Sequence, residues 1–73
     1  MIMSQNNQKI SIYPNPVLDI LTLQIPATVV ITDVTGTIVW DSKSAVGQVD
    51  MTSFRSGFYI VKLNNTQVNR IIK

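Results

Sequence analysis

The strongest fold signal in this chain is the stretch TVVITDVTGTIVWD, residues 28–41. Two runs rich in β-branched residues flank the pair Thr35-Gly36. Glycine adopts the positive φ of a tight turn without steric cost, and β-branched side chains pack well on a pleated sheet. The stretch therefore predicts an antiparallel hairpin. Period two places Ile38 and Trp40 on one face of its second strand, with the indole in the core.

Similar short runs occur on both sides of this hairpin. They are rich in Ile, Val, Leu, Thr and Tyr and are separated by Pro, Gly, Asn and Ser, a pattern typical of all-β domains. The predicted strands are residues 9–13, 18–25, 28–34, 37–41, 47–51, 58–63 and 67–73. Seven short antiparallel strands predict a small Ig-like β-sandwich without helices.

Three of these runs also predict where their strands lie. Residues 18–25 form a run long enough for the middle of a sheet. Residues 58–63 have two largely apolar faces, as in a central strand buried on both sides. Residues 67–73 carry charge on both faces, which suits an edge strand. The polar residues 1–8 are interpreted as a linker end or an expression remnant, so the domain spans 9–73.

The composition argues against an enzyme. A chain of 73 residues forms one domain with one small core. Cysteine and histidine are absent, which removes disulfides, thiolate metal sites and the usual general base. The only carboxylates are four aspartates at predicted strand ends or turns, where Asp bonds the local backbone. We therefore expect no catalysis and no cofactor, and leave open only a weak calcium site.

The charge distribution argues against nucleic-acid and membrane partners. The net charge of +2 is the difference between six Lys and Arg residues and four Asp residues. The six cations are scattered along the chain, whereas nucleic-acid binding needs them clustered on one face. No run approaches the roughly 20 apolar residues that span a bilayer. We expect a soluble domain that is a monomer in isolation.

Four short motifs remain, and local chemistry explains each of them singly. The two prolines of the first motif fix φ, and its Asn can bond neighbouring backbone, so the segment predicts a stiff corner between sheets. The glycine of the third needs only a turn or bulge role before two aromatic residues enter the strand. In chain order the motifs are Tyr13-Pro14-Asn15-Pro16, Asp33-Val34-Thr35-Gly36, Gly57-Phe58-Tyr59 and Arg70-Ile71-Ile72-Lys73.

The chain resembles the type A C-terminal sorting domain of the type IX secretion system over residues 10–73. The resemblance is carried, in chain order, by Tyr13-Pro14-Asn15-Pro16, Leu18-Asp19-Ile20-Leu21, Asp33-Val34-Thr35-Gly36, Gly57-Phe58-Tyr59-Ile60-Val61 and Lys73. The resemblance implies an Ig-like sandwich at the C-terminus of a larger cargo protein that passes through the periplasm. It implies recognition by the outer-membrane translocon and removal by a sortase-like peptidase. The cargo would then be secreted or held on the outer-membrane cell surface.

The end of the chain departs from the family pattern in one respect. Many members have two basic residues close together near the end, whereas Arg70 and Lys73 are separated here by Ile71 and Ile72. We predict that these four residues bind the partner. Their strand would add to a partner sheet while the two charges select the register.

A second hypothesis is a small Ig-like module that binds carbohydrate or protein. Such a module needs several aromatic side chains on one exposed surface. The chain has two Tyr, two Phe and one Trp, and most of them are predicted to lie inside the sandwich.

Overall fold

The computed structural model describes residues 9–73, so the predicted linker at residues 1–8 lies outside the described residues. Within them every regular element is a strand, which confirms the all-β prediction, and no helix capable of crossing a bilayer occurs there. The seven strands are β1 (Ile12–Tyr13), β2 (Ile20–Ala27), β3 (Val29–Thr32), β4 (Ile38–Asp41), β5 (Val46–Asp50), β6 (Phe58–Leu63) and β7 (Gln67–Ile72).

The strands form two antiparallel sheets that pack as a sandwich compatible with the Ig-like class. One sheet has the order β1-β2-β5 and the other the order β4-β3-β6-β7. The long strand β2 lies in the middle of its sheet, and β7 lies at an edge of the other, as the sequence predicted. Strand β6 pairs with both β3 and β7, so it is an interior strand.

The core lies between the two sheets, and both sheets contribute to it. Its members are apolar except for the Tyr59 hydroxyl, and within residues 9–73 no charged side chain is buried. The burial of apolar surface, which contributes about 25 cal/mol per Å², is the main force that holds the sheets together. The buried side chains are Ile10, Val17, Leu21, Leu23, Ala27, Val29, Ile31, Val49, Met51, Tyr59, Val61, Leu63 and Ile71.

The prediction that β6 is buried on both faces is wrong. Val61 and Leu63 face the core, but Phe58 on the opposite face is 54% exposed and Lys62 is exposed. A two-layer sandwich covers only the inner face of each sheet. The apolar residues on the outer face of β6 therefore lie in contact with solvent.

The predicted hairpin of β3 and β4 is present, but its second strand contains an irregularity. Ile31 pairs with Trp40, whereas the next residue, Thr32, pairs with Ile38, so Val39 is an extra residue in β4. A one-residue bulge reverses the face of the side chains that follow it. Ile38 is consequently 59% exposed, while Trp40 is half-buried against the core. The prediction that they share a face is wrong.

The turn between β3 and β4 is organised by the carboxylate of Asp33. Its Oδ1 accepts hydrogen bonds from the Thr35 hydroxyl at 2.6 Å, the Thr35 N–H at 2.9 Å and the Thr37 N–H at 3.1 Å. Gly36 has a φ of 90°, which glycine adopts without strain. The Thr35 hydroxyl is the main cause that lowers the pKa of Asp33, and the backbone donors add to it.

Replacing Ile71 with alanine should destabilise the domain strongly. Ile71 is 1% exposed, and removing such a side chain costs about 2–5 kcal/mol through lost burial and the cavity left behind. Val68→Ala, in an exposed position of the same strand, should change stability by about 0.5 kcal/mol or less. Urea unfolding followed by the single tryptophan measures both. Equal effects of the two substitutions would contradict this core assignment.

The Asp33 turn should contribute stability that depends on pH. A carboxyl whose pKa is lowered on folding stabilises the native state above its unfolded pKa, near 3.8, and that contribution is lost as the pH falls through the folded value. Asp33→Asn keeps an acceptor oxygen but does not titrate. Its urea midpoint should therefore fall less than that of the wild type between about pH 5 and pH 2, the range in which the carboxyl takes up its proton. Thr35→Ala removes the largest cause of the shift and should have the same sign. An acid dependence identical to that of the wild type in both variants argues against this role of Asp33.

Candidate functional site

The C-terminal strand β7 is the candidate site, and a tight hairpin connects it to β6. Asn64 and Asn65 both have positive φ, 52° and 58°, a conformation that Asn tolerates better than most residues. At the other end Gly57 and Lys73 exchange two main-chain hydrogen bonds of 2.9 and 2.8 Å. Gly57 has a φ of 153°, which residues with a Cβ rarely adopt. The hairpin is thus fixed at both ends.

Alternation along β7 separates the four residues predicted to bind a partner. Ile71 points into the core, whereas Arg70 and Ile72 lie on the outer face of the sheet, where Arg70 is exposed and Ile72 is 40% exposed. Adjacent strand residues point to opposite faces. The side chain of Ile71 therefore stabilises the fold, and Arg70 and Ile72 are the ones accessible to another molecule.

Lys73 is engaged within the domain. Its Nζ donates hydrogen bonds to the carbonyl oxygens of Phe54 at 2.7 Å and Thr52 at 3.3 Å. The pKa of Asp50 is lowered first by the hydroxyl and backbone N–H of Thr52, and to a smaller degree by the positive charge of Lys73. Lys73 thus ties the end of β7 to the loop between β5 and β6, and Arg70 is left as the cation that faces solvent on this strand.

The same loop is held by Tyr59, the second aromatic residue of the third motif. Its hydroxyl donates a 2.6 Å hydrogen bond to the carbonyl oxygen of Arg55. Its ring packs against Phe54, with the ring centroids 5.5 Å apart. Phe54 lies at the edge of the core, as the sequence predicted. Tyr59 and Lys73 therefore fix the loop from two sides.

The Tyr13-Pro14-Asn15-Pro16 motif lies against β7. Both X-Pro peptide bonds are cis, and the motif connects β1 and β2, which belong to the same sheet. The predicted corner between two sheets is therefore wrong as a connection. The motif nevertheless reaches the other sheet, because the Asn15 side chain contacts the last residue of β7.

That contact involves the main chain of Ile72. The Ile72 N–H donates to Oδ1 of Asn15 at 3.0 Å, and the N–H of Val17 donates to the Ile72 carbonyl oxygen at 2.7 Å. Gly57 and Lys73 form a hydrogen-bonded pair, and such pairs alternate with non-hydrogen-bonded pairs along an antiparallel ladder. The main-chain N–H and C=O groups of residues 68, 70 and 72 therefore point away from β6. Only Ile72, of these three, has its outward groups bonded within residues 9–73.

A second contact closes the other end of the strand, and the sequence analysis missed it. The Gln67 side chain accepts a hydrogen bond from the N–H of Ile10 and donates one to its carbonyl oxygen, both 2.8 Å long. It also donates to Asn69. Gln67 and Asn69 share the parity of the buried Ile71, so these polar side chains point toward the core and require partners. That parity was the signal available in the sequence.

The outer face of the four-stranded sheet brings several of the motifs together. An open depression of about 480 Å³ is lined by Asp33 and Gly36 of the hairpin turn, by Phe58 and Ile60 of β6, and by Arg70. Its walls combine apolar side chains with one cation and one carboxylate. Such a surface can hold an extended peptide through apolar contacts and a charge pair.

The other predicted chemistry is not assembled in the described residues. Residues 9–73 contain no group of three His, Cys, Asp or Glu side chains that could hold a metal ion. The aromatic residues that are more than half exposed, Tyr13 and Phe58, belong to different sheets. Within residues 9–73 neither of these two rings stacks on another aromatic ring, and the ring contact found there joins Phe54 and Tyr59.

The comparison with known proteins agrees with this geometry. The chain matches the family described as the secretion system C-terminal sorting domain over residues 11–73. No curated protein and no solved structure gave a match. The matched residues include every strand and all four motifs. On this evidence the chain belongs to the family of C-terminal sorting domains of the type IX secretion system.

Proposed function

We propose that this domain is a non-catalytic signal whose last strand is read by the outer-membrane translocon of the type IX system. Family membership gives the sorting role. The role of the last strand in recognition rests on one observation. Arg70 is exposed on an edge strand, and its outward main-chain groups have no partner within residues 9–73. A receptor can therefore contact both its charge and its backbone.

Strand addition suits this part of the molecule. Main-chain hydrogen bonds supply affinity at a sheet edge, and side-chain contacts supply selectivity. Arg70 lies on the outer face between the Ile60 position of β6 and the open edge. A receptor strand that pairs with β7 would place one of its own side chains directly beside the guanidinium. The charge of that side chain would then decide whether the pair is favourable.

The remaining steps follow from the sorting role and belong to the same proposal. The domain forms the C-terminus of a larger cargo protein and directs it from the periplasm across the outer membrane. A sortase-like peptidase then removes the domain upstream of β1, and the cargo is secreted or held on the cell surface. The domain itself supplies folding and recognition only.

Substituting Arg70 should reduce export of a fused reporter. The measurement is the exported fraction of a reporter joined to the domain, in a bacterium that has a type IX system. Arg70→Glu reverses the charge beside the open edge, and one lost charge pair corresponds to about a tenfold loss of affinity. Arg55→Glu is the matched control, because Arg55 is exposed on a loop outside β7. Both variants should unfold in urea as the wild type does.

Equal export of the Arg70 and Arg55 variants would overturn the role of Arg70. Point substitutions are preferable to truncation here, because deleting residues 70–73 also removes the buried Ile71. The mass of the exported reporter tests the removal step independently. A reporter that keeps the whole domain outside the cell contradicts cleavage.

A further inference from the structure

We infer that residues 10–17 form a guard that closes both ends of the β7 edge, leaving Val68 and Arg70 as a docking position for an extended segment that carries a carboxylate. The docking part of this inference rests on the proposed function, and the guard does not. Full pairing of a partner strand along β7 requires the guard to leave Ile72. The guard therefore limits the length of β7 with which a partner strand can pair.

At the C-terminal end of β7 the guard imitates a neighbouring strand. Asn15 accepts from the N–H of Ile72, and Val17 donates to its carbonyl oxygen. These are the two bonds that a residue of an added strand would make to Ile72. Val17 is also buried in the core, which anchors the guard. An incoming strand must displace these bonds before it can pair with Ile72.

At the N-terminal end of β7 the guard is held by a side chain of the strand and not by its main chain. The amide of Gln67 makes both a donor and an acceptor contact with the main chain of Ile10. Ile10 is itself part of the core. Ile10, which precedes β1, is thereby held beside the first residue of β7. Proteins commonly cover exposed edges with loops to prevent unwanted pairing.

Between the two closed ends a short stretch of backbone is open. The N–H and C=O groups of Val68 and Arg70 point away from β6 and have no partner within residues 9–73. At about 3.3 Å per residue, the stretch from Gln67 to Ile72 is only about 17 Å long. It accommodates a few residues of a partner, which suffices for an initial contact but not for a full strand.

The charges around this opening specify the partner. Arg70 is exposed on the outer face, and Lys62 lies opposite Val68 on the same face. A partner side chain opposite Arg70 on that face is therefore directly beside one cation, and Lys62 lies one strand further away. A carboxylate is favoured there and a lysine is disfavoured. A second copy of β7 in antiparallel pairing would bring two Arg70 side chains close together. The partner is thus an acidic extended segment of another protein.

The guard is tested by hydrogen exchange on the full 73-residue chain. Asn15→Ala removes the acceptor for the Ile72 N–H, and exchange at Ile72 should accelerate by about 3- to 10-fold, which corresponds to the loss of one hydrogen bond. Asn15→Asp keeps an acceptor oxygen and should exchange as the wild type does. Leu18→Ser, at an exposed position just beyond the guard, is the matched control. Unchanged exchange at Ile72 in Asn15→Ala would overturn the guard.

The other closed end provides an independent variant. Gln67→Met preserves the length of the side chain but removes both bonds to Ile10, so the Ile10 amide should exchange about 3- to 10-fold faster. Exchange at Ile72 should stay unchanged. An unaltered Ile10 amide would contradict the second closure even if the Asn15 variant failed to fold.

The docking position is tested with two capped hexapeptides, one alternating Val and Glu and the other alternating Val and Lys. Asn15→Ala should bind the Glu peptide about 3- to 10-fold more tightly than the wild type, and Arg70→Glu should abolish that binding. Equal binding of the two peptides would overturn the assignment of an acidic partner, and a dimer formed without peptide would assign the edge to a second copy. Peptide binding tests the docking position alone. Reporter export tests the proposed function and is a separate measurement.

Discussion

The junction at Ile72 joins the two ends of the described chain, and the rest of the sandwich depends on it. Asn15 and Val17 bond the main chain of Ile72 on one side. On the other side its neighbour Ile71 pairs with Tyr59 of β6, and its neighbour Lys73 bonds Gly57, just before β6. The contacts of Asn15 and Val17 with Ile72 join residues more than fifty positions apart, so the loop-closure entropy must be overcome before they form. With no cysteine to hold the ends together, the sheet and the core must do so.

Three of the four motifs are joined by hydrogen bonds around the last hairpin, and the fourth lies across the outer depression from it. Asn15 bonds the end of β7, Gly57 pairs with Lys73, and Tyr59 and Lys73 both hold the loop before β6. Asp33 organises the turn at the other side of the outer depression. Each motif first solves a local backbone problem, and together they fix the position of the last hairpin. Recognition by a partner then uses a strand whose place is already determined.

The sequence was sufficient wherever one local pattern decided the structure. Strand β6 occupies the predicted residues, and β7 lies at the predicted edge, because alternation and charge are visible in a few consecutive residues. The bulge at Val39 was not predictable from periodicity, since one extra residue reverses a face without changing composition. The bonds of Asn15 to Ile72 and of Gln67 to Ile10 depend on the path of the whole chain. The polar parity of Gln67 indicated only that a partner must exist.

The alternation of β7 lets one strand serve both folding and recognition. Ile71 stabilises the core, whereas Arg70, one position earlier, faces solvent, and its outward main-chain groups have no partner within residues 9–73. An edge that is open enough for a partner is also open to aggregation, because any extended chain can pair with it. Covering the whole edge would prevent both outcomes, and uncovering it would permit both. When both ends of the β7 edge are closed, the open stretch is so short that main-chain pairing alone is weak. The charge of the incoming segment beside Arg70 then decides which chains remain bound.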